Sequence, residues 1–476
     1  MNRPIVKLYA LVVVLFALLI AFTSRWTIFQ AASLRDNHLN NRQLLEHERI
    51  DRGRIVAADG TVLARSARRP DGTYVRHYPA GAEFAQAIGY SYIDLGSTGL
   101  ERYRNGPLEG EASSGLQAIL DQLQGRSNRG DEIHTTLDPA AQRTAIAALG
   151  GHTGAVVALD PRTGAVRVMV SSPSFDPEAA RTPSSFKKIE RDPGDPLINR
   201  ATQFGYPPGS TFKIVTATAA IDTGKFTPSS VVSGRNGIVV SGVPLNNDEN
   251  ENLGPLTLTQ GLAKSVNTVW AQVAERVGKP ALANYMRRFG FDADPQLDYP
   301  AGEMTPSGEY QGNRLIAPTS PKVDLGRLGI GQDKLAVTPL QMAQVAAAVA
   351  NHGQLMAPHL TSRIVNPEGE TVQRIEPRVQ SVVMKPSTAA AITGMMEAVV
   401  NEGTGVSAQI PGIQVAGKTG TAETQIGTAI NNVWFIAFAP ASDPKVAIAV
   451  TLKGVPGQGA AFAAPVAKTV MEALLR

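Results

Sequence analysis

The sequence predicts an α+β fold in which one antiparallel sheet is packed with helices. Two apolar, strand-like runs come first, at 155–159 and 166–170, and three more follow near the C-terminus at 413–421, 433–439 and 446–452. Helical periodicity dominates the long stretch between the two groups. Because the connections within each group are short, we expect the early pair and the late trio to form one antiparallel sheet.

The N-terminus carries the signal of a membrane anchor, which we place at residues 1–25. Residues 8–24 contain no charged side chain, and Lys7 can extend to the polar boundary and lengthen the span. Arg3 and Lys7 precede the apolar run, so the N-terminus is expected in the cytoplasm. A cleaved signal peptide is the alternative, but its apolar core is usually about 7–15 residues and ends at small residues, whereas Arg25 and a tryptophan follow here. Either interpretation places the rest of the chain outside the cytoplasm.

Residues 26–150 are predicted to form a stalk and a small pedestal domain. The polar stretch 27–50 is typical of a helical stalk or linker. At 52–64, two short strand-like runs flank an Asp-Gly pair, which is a strong signal of a β-hairpin. This part shows no constellation of reactive side chains, so we interpret it as a spacer.

Residues 151–476 are predicted to form the α+β domain itself. The turn sequence 160–164 joins the two early strands. Residues 171–209 are rich in Pro and Ser and are predicted to be irregular. The clearest helix covers 341–351, and an amphipathic helix is predicted at 464–475.

A Ser-x-x-Lys tetrad, Ser210 with Lys213, opens the helical stretch. It follows a rigid Pro-Pro-Gly turn and precedes an apolar run at 214–221. Residues three apart share a helix face, and a neighbouring lysine can be the base that activates a serine. An apolar helix could bury this lysine, and burial lowers a lysine pKa because it disfavours the charged form.

The tetrad alone is weak evidence, because the chain contains four of them where composition predicts roughly one or two. Two of the others lie in a polar segment that would leave their lysines solvated. The third lies in a turn where proline prevents a helix. These three are Ser184/Lys187, Ser185/Lys188 and Ser442/Lys445.

A Ser-x-Asn motif occurs once, at Ser265 and Asn267. It offers a hydroxyl that can relay a proton and an amide that can hold a substrate amide. Taken alone, it is more typical of a polar helix cap or turn.

A Lys-Thr-Gly motif also occurs once, at Lys418, Thr419 and Gly420, and Thr421 follows it. Flanking apolar residues place it on a strand. The lysine and the two threonine hydroxyls would suit a carboxylate. Glycine inside a strand indicates that another backbone approaches closely, and we interpret this space as room for a peptide laid along the strand.

The composition excludes several other chemistries. The chain has no cysteine, which excludes thiol catalysis and cysteine-ligated zinc. Its seven histidines show no His-Glu-x-x-His spacing, so no zinc-protease site is indicated. The net charge of +4 comes without a concentrated basic tract, so nothing indicates nucleic-acid binding.

The three motifs occur in the order SxxK, SxN and KTG, with 55 and 153 residues between their leading residues. This set is typical of β-lactamases and penicillin-binding proteins. The sequence resembles the class B high-molecular-weight penicillin-binding proteins, the monofunctional peptidoglycan D,D-transpeptidases, over nearly the whole chain after the anchor. Its compact N-terminal part looks most like the actinobacterial PbpA-type enzymes. Further matches are the RGxI…DGxxLA hairpin at 52–64, Asn199-Arg200-Ala201, Gly331-Gln332 with Thr338-Pro339-Leu340-Gln341, Ala350-Asn351-His352-Gly353, Gly403-Thr404-Gly405 and the run 434–440.

The resemblance implies the penicillin-binding transpeptidase fold. This fold has a five-stranded antiparallel sheet packed with helices, a helical subdomain and a dimerisation-like pedestal. It also implies that Ser210 attacks the penultimate D-Ala carbonyl of a stem peptide and that Lys213 accepts the Ser210 proton. Ser265 would relay that proton toward the leaving amine, and Asn267 would orient the substrate amide and help to place Lys213.

On the strand, the resemblance implies that Lys418 supplies positive potential and supports Ser265. Thr419, Gly420 and Thr421 would bind the substrate, with the two threonine hydroxyls on its terminal carboxylate. The backbone N–H groups of Ser210 and Thr421 would form the oxyanion hole. No cofactor and no metal are implied.

The implied partners are peptidoglycan stem peptides, β-lactam antibiotics, which acylate the same serine, and the membrane. A single-span transpeptidase without its own polymerase further implies a partner glycan polymerase of the FtsW/RodA kind.

Several alternatives stay open at this point. A D,D-carboxypeptidase of the same fold transfers to water, and motifs do not exclude it. A β-lactamase would need a base that activates the deacylating water. A β-lactam-binding receptor should have several membrane spans. A non-catalytic division scaffold is disfavoured because every motif residue is intact.

Overall fold

The computed structural model describes residues 3–24, 48–110, 129–423 and 430–476, so most of the predicted stalk lies outside the described residues. Helix α1, Arg3–Ser24, coincides with the predicted anchor. Its 22 residues give a length of about 33 Å, which exceeds the ~30 Å hydrocarbon core of a bilayer. The side chains of its apolar window Arg3–Ile20 are not buried against protein. By length and composition, α1 is a candidate membrane span.

The remaining elements alternate short strands with helices. The strands are β1 Ile55–Val56, β2 Val62–Arg68, β3 Tyr74–His77, β4 Ser91–Tyr92, β5 Gly96–Ser97, β6 Glu132–Thr135, β7 Gly154–Leu159, β8 Val166–Ser172, β9 Val231–Ser233, β10 Ile238–Val240, β11 Val243–Leu245, β12 Pro255–Thr257, β13 Gly308–Gln311, β14 Arg314–Ile316, β15 Leu335–Ala336, β16 Gln354–Met356, β17 Thr361–Val365, β18 Thr371–Arg374, β19 Val379–Val382, β20 Ala416–Glu423, β21 Ile430–Ala439 and β22 Val446–Pro456. The helices after α1 are α2 Ala85–Ile88, α3 Gly99–Tyr103, α4 Asn105–Glu109, α5 Pro139–Leu149, α6 Pro183–Glu190, α7 Lys213–Asp222, α8 Leu258–Ala263, α9 Asn267–Val277, α10 Lys279–Arg288, α11 Leu325–Leu328, α12 Pro339–Ala350, α13 Pro386–Glu402 and α14 Gly459–Leu474.

The central sheet has five strands in the order β20-β21-β22-β7-β8, and every neighbouring pair is antiparallel. The predicted union of the early pair with the late trio is confirmed. The first late strand begins at Ala416 rather than at 413. Gly412 has a φ of +76° and Ile413 forms a tight bridge with Ile410, so the chain turns just before the strand.

Helices cover both faces of this sheet, so the side chains on both faces of its strands are buried. This explains why the sequences of these strands are continuous apolar runs. Alternate residues of each strand enter two separate cores, as Ala155 and Val157 do on one face and Val156 and Ala158 on the other. Helix α12 packs on the first face, and all of its residues are buried. Helices α14 and α5 pack together on the second face. Strand β20 lies at one edge of the sheet, so among the described strands it pairs with β21 alone.

The predicted pedestal and the large domain are packed together, and each contributes elements to the other. A six-stranded sheet has the order β18-β17-β6-β1-β2-β3, so two strands from beyond residue 360 extend the pedestal sheet. Conversely, α5 falls in the range predicted as pedestal but packs against β8 and α14. Because of this packing, the described contacts do not divide the chain at residue 150, and the domain boundary there stays a prediction. The predicted hairpin at 52–64 is confirmed as the antiparallel pair β1 and β2.

The stretch predicted as irregular contains a helix, so that prediction is wrong for part of it. Helix α6 begins with a capping box between Thr182 and Ser185 and has proline in its first turn, a combination that starts a helix even in a polar segment. Lys187 and Lys188 on this helix are exposed, as expected for the tetrads set aside above. Lys445 of the fourth tetrad is exposed as well and lies 2.6 Å from Asp443.

Candidate active site

The tight turn that carries Ser210 depends on glycine. Residues Gly209–Phe212 form a 3₁₀ turn that leads directly into α7. Gly209 has a φ of +52°, and a Cβ at this position would lie 2.4 Å from the carbonyl oxygen of Thr421. Left-handed backbone and close approach both require glycine. The turn is therefore packed directly against strand β20.

Helix α7 buries Lys213, as the apolar run after the tetrad predicts. All of its residues except Ile221 are buried, and the Lys213 side chain is 0% exposed. Ser210 itself is only partly buried and faces the cleft. The turn is fixed from the sheet side by Trp434, whose indole N–H donates to the Pro207 carbonyl at 2.9 Å.

The Ser-x-Asn motif forms a turn between two helices rather than a helix cap. Ser265 lies between the end of α8 and the start of α9, and its φ is +57°. A left-handed conformation is uncommon for a residue other than glycine, and such positions are concentrated at functional sites. Asn267 is the first residue of α9, so its side chain and the Ser265 side chain reach the same space.

The three motifs meet around the hydroxyl of Ser265. Lys418 Nζ donates to Ser265 Oγ at 2.9 Å, and Lys213 Nζ lies 3.3 Å from the same oxygen. Both lysines are fully buried. Ser265 Oγ therefore bridges two lysines that are far apart in the sequence.

Lys213 makes its two shortest hydrogen bonds to oxygens that only accept. Its Nζ donates to the backbone carbonyl of Ser265 at 2.6 Å and to Oδ1 of Asn267 at 2.7 Å. A neutral amine has two N–H hydrogens and one lone pair. With both hydrogens directed at these oxygens, the lone pair is left for a proton donor. The Lys213 backbone N–H donates to the Ser210 carbonyl, but within the described part of the chain no hydrogen bond joins Ser210 Oγ to Lys213 Nζ.

Electrostatics favour a neutral Lys213. Burial, followed by the nearby charge of Lys418, holds the pKa of Lys213 well below its ordinary value. Burial lowers the pKa of Lys418 to about 7. The carboxylate of Asp248 opposes both shifts, because a negative charge favours the protonated amines.

The close approach that the sequence predicts at Gly420 is made by the turn that carries Ser210. A Cβ at Gly420 would lie 2.8 Å from the Pro208 carbonyl oxygen and 2.8 Å from a methyl carbon of Thr211. This glycine admits the Ser210 turn and so brings the serine next to the strand. Gly420 also lines the cleft, and its part in substrate binding stays a prediction.

The neighbouring threonines lie at the cleft wall. Thr419 is buried and its hydroxyl lies 2.6 Å from the hydroxyl of Thr404. Thr421 is partly exposed, and its hydroxyl accepts from the Gly459 N–H at 3.3 Å. Both residues line a cleft of about 350 Å³ that also contains Ser210.

The cleft includes residues to which sequence reasoning assigned no role. The acidic pair Asp248 and Glu249 lies on one side, and Gln332, Thr404 and Gln458 complete the wall. Gln332 and Thr404 occur in segments that match the resembled family, which was the only sequence signal for them. Nothing local marks Asp248, which reaches the site because Asn267 and Thr268 hydrogen-bond to its loop.

Comparison with known protein families gives two matches along the chain. Residues 154–472 match the penicillin binding protein transpeptidase domain. Residues 52–133 match the penicillin binding protein A dimerisation domain.

Two curated relatives match over nearly their whole length. The chain is 35% identical to the peptidoglycan D,D-transpeptidase PbpA of Mycolicibacterium smegmatis, an alignment that covers 100% of this chain and 99% of the relative. It is 33% identical to PbpA of Mycobacterium tuberculosis, with the same coverage.

Solved structures agree with the sequence matches. The penicillin-binding protein A of M. tuberculosis, as a ceftriaxone acyl-enzyme complex, superposes with a TM-score of 0.82 at 32% identity, and the alignment covers 91% of this chain and 100% of that one. The penicillin G acyl-enzyme complex of the same protein gives a TM-score of 0.80 at 32% identity, over 90% of this chain and 100% of that one.

Proposed function

The chain belongs to the penicillin-binding protein transpeptidase family, and from this premise we propose that it is a membrane-anchored serine D,D-transpeptidase that cross-links peptidoglycan stem peptides. The observation that carries the proposal is the Ser265 hydroxyl held between two buried lysines, beside a cleft that opens at Ser210. Relatives that are named peptidoglycan D,D-transpeptidase support both the proposed reaction class and the proposed substrate.

In the proposed first half-reaction, Ser210 Oγ attacks the carbonyl of the penultimate D-Ala. The neutral amine of Lys213 takes the hydroxyl proton, which its lowered pKa favours. Ser265 passes that proton to the nitrogen of the departing D-Ala. Asn267 holds Lys213 in place by accepting one of its hydrogens and offers its amide to the substrate. The product is an acyl-enzyme at Ser210.

The proposed oxyanion hole consists of the backbone N–H groups of Ser210 and Thr421. The close packing of Gly209 against Thr421 supports this assignment, because it brings the two backbones together. Each donor of such a hole typically contributes roughly 2.7–4 kcal/mol to transition-state stabilisation. Thr419 and Thr421 bind the terminal carboxylate in this scheme, and Lys418 adds positive potential.

In the second half-reaction, an amine of a neighbouring stem peptide attacks the acyl-enzyme and replaces Ser210 Oγ. β-Lactams acylate the same serine and remain attached. Acyl-enzyme structures of the related M. tuberculosis protein with ceftriaxone and penicillin G support this part of the proposal.

We place the catalytic domain outside the cytoplasm. The candidate span α1 and the basic residues Arg3 and Lys7 near its start support an N-terminus that stays inside. A transpeptidase of this kind needs glycan strands from another enzyme. We therefore include a membrane polymerase of the FtsW/RodA kind as a proposed partner.

A cross-linking assay tests the function directly. The full-length protein, reconstituted with a partner polymerase and lipid-linked precursor, is expected to produce cross-linked stem-peptide dimers and to release D-Ala. The Ser210→Ala variant should release none. Release of D-Ala without cross-links would instead identify a D,D-carboxypeptidase, and the absence of both products would favour a scaffold or receptor.

Asp248→Asn is expected to shift the pH profile of acylation to lower pH. Asp248 raises the pKa of Lys213 and of Lys418, so removal of its charge lowers both. Lys213 then stays neutral down to a lower pH, and Lys418 also loses its proton at a lower pH. The measurement is the second-order rate constant for acylation by a labelled penicillin between about pH 5 and about pH 9, a range that brackets the near-neutral pKa values typical of catalytic groups.

Glu249→Gln provides the matched control. This neighbour lines the same cleft, but neither lysine pKa shift includes a contribution from it. Its profile should coincide with that of the wild type. A shift of the Asp248→Asn profile to higher pH, or equal shifts in both variants, would contradict the assigned electrostatics.

A further inference from the structure

The hydroxyl of Thr404 lies in the active-site cleft but has no part in the mechanism above. Thr404 Oγ1 lies 2.6 Å from Thr419 Oγ1, and both residues line the cleft. Thr419 is buried and Thr404 is partly exposed. The pair therefore forms part of the wall at which the substrate carboxylate is proposed to bind.

The backbone around Thr404 is fixed by packing. Its N–H donates to the Ala263 carbonyl at 3.0 Å. A Cβ at Gly403 would lie 2.3 Å from the same carbonyl oxygen, so the residue before Thr404 must be glycine. This turn follows the end of α13 and packs against the segment that leads to Ser265. It holds the Thr404 hydroxyl beside β20 at a defined position.

A count of hydrogens indicates the direction of the bond between the two threonines. Each hydroxyl has one hydrogen to donate and two lone pairs that accept. Protonated Lys418 has three hydrogens: two are donated to Ser265 Oγ and to the Thr419 carbonyl, each at 2.9 Å, and the third is left for Thr419 Oγ1 at 3.4 Å. If Thr404 donates to the same oxygen, both lone pairs are used. The hydrogen of Thr419 is then left for the cleft.

We propose that Thr404 is a positioning residue for carboxylate recognition. By donating to Thr419 Oγ1, it fixes the Thr419 hydroxyl so that this group donates to the terminal carboxylate of the stem peptide or to the carboxylate of a β-lactam. The inference rests on the proposed transpeptidase function. Without the Thr404 hydroxyl, Thr419 can turn its hydrogen away from the cleft.

The test compares a carboxylate with its neutral ester. Acylation of the full-length protein in detergent is followed by intact-protein mass spectrometry, with benzylpenicillin and with benzylpenicillin methyl ester. For Thr404→Val, which keeps the shape and removes the hydroxyl, the second-order rate constant should fall about tenfold with the acid, as for loss of one charge-assisted hydrogen bond. With the ester it should stay within about twofold of the wild-type value, because the ester has no carboxylate to position.

Three further variants complete the test. Thr404→Ser keeps a hydroxyl and should retain nearly all activity with the acid. Thr419→Val should show the same selective loss, and the double variant Thr404→Val/Thr419→Val should lose no more than Thr419→Val alone. If Thr404→Val does not fold, as judged by its melting temperature, Thr404→Ala takes its place with the same expected result.

Several outcomes would overturn the inference. Equal losses with acid and ester would mean that Thr404 acts on the general shape of the cleft, and no loss with the acid would remove its role. A Thr404→Ser variant as slow as Thr404→Val would also contradict it. A wild-type protein that benzylpenicillin does not acylate would overturn the proposed function and this inference together, which distinguishes the two failures.

Discussion

The Ser210→Ala variant should form no covalent adduct with a labelled penicillin. The hydroxyl oxygen of Ser210 is the proposed nucleophile, so its removal leaves no atom to carry the acyl group. The fold should be almost unaffected. Ser210 is partly exposed and its side chain makes no hydrogen bond within the described residues, so the free energy of unfolding should change by about 0.5 kcal/mol or less.

The matched control for this variant is Ser185→Ala. Ser185 belongs to a second Ser-x-x-Lys tetrad in the same chain, but it lies on helix α6 and its Lys188 is exposed. This variant should be labelled as fast as the wild type. Labelling that persists in Ser210→Ala, or a labelled peptide that contains Ser185, would refute the assignment of the nucleophile.

The Lys213→Met variant should slow acylation by about 10²–10⁴-fold, the usual contribution of a positioned general base. Methionine has a similar length and suits the buried site but cannot accept the Ser210 proton. Its introduction leaves the Ser265 carbonyl and Asn267 Oδ1 without the donor that Lys213 supplies. The free energy of unfolding should therefore fall by about 1–3 kcal/mol, less than the ~5–15 kcal/mol stability of a typical domain.

Stopped-flow acylation and a chemical denaturation curve separate these two effects. Lys188→Met, at the exposed lysine of the Ser185 tetrad, is the control and should change neither quantity. A Lys213→Met protein that is folded and acylates at the wild-type rate would remove Lys213 as the base. A loss of activity that follows unfolding alone would leave the lysine with a structural role only.

The sequence predicted those parts of the fold that follow from local patterns. The continuous apolar runs of β7, β8, β21 and β22 indicated strands, and their short connections indicated antiparallel pairing. The Asp-Gly turn before β2 likewise predicted its hairpin. Helix α6 was missed because its signal is a cap, Thr182 with Ser185, and not an apolar period.

The motifs also identified which residues to expect in the site. The Pro-Pro-Gly entry and the apolar α7 selected Ser210 and Lys213 from four similar tetrads. The structure places Lys213 with the downstream motifs around Ser265, and Ser210 lines the same cleft. Their catalytic roles stay predictions. Gly420 was identified as a position of close approach, and the structure shows that the Ser210 turn makes this approach, which the sequence does not show because the contact joins distant segments.

Only the tertiary structure decided how the site is assembled. A Ser-x-x-Lys tetrad places two side chains on one face, but the lowered pKa of Lys213 comes from burial and from Lys418, which is remote in the chain. The left-handed Ser265, the Thr404 hydroxyl and the Asp248 carboxylate reach the cleft through turns fixed by distant contacts. Periodicity and turn chemistry are local properties that a sequence displays directly. Charge proximity and hydrogen-bond direction depend on which distant segments pack together, so they are determined only in the folded chain, whereas the apolar run after Lys213 already indicated its burial.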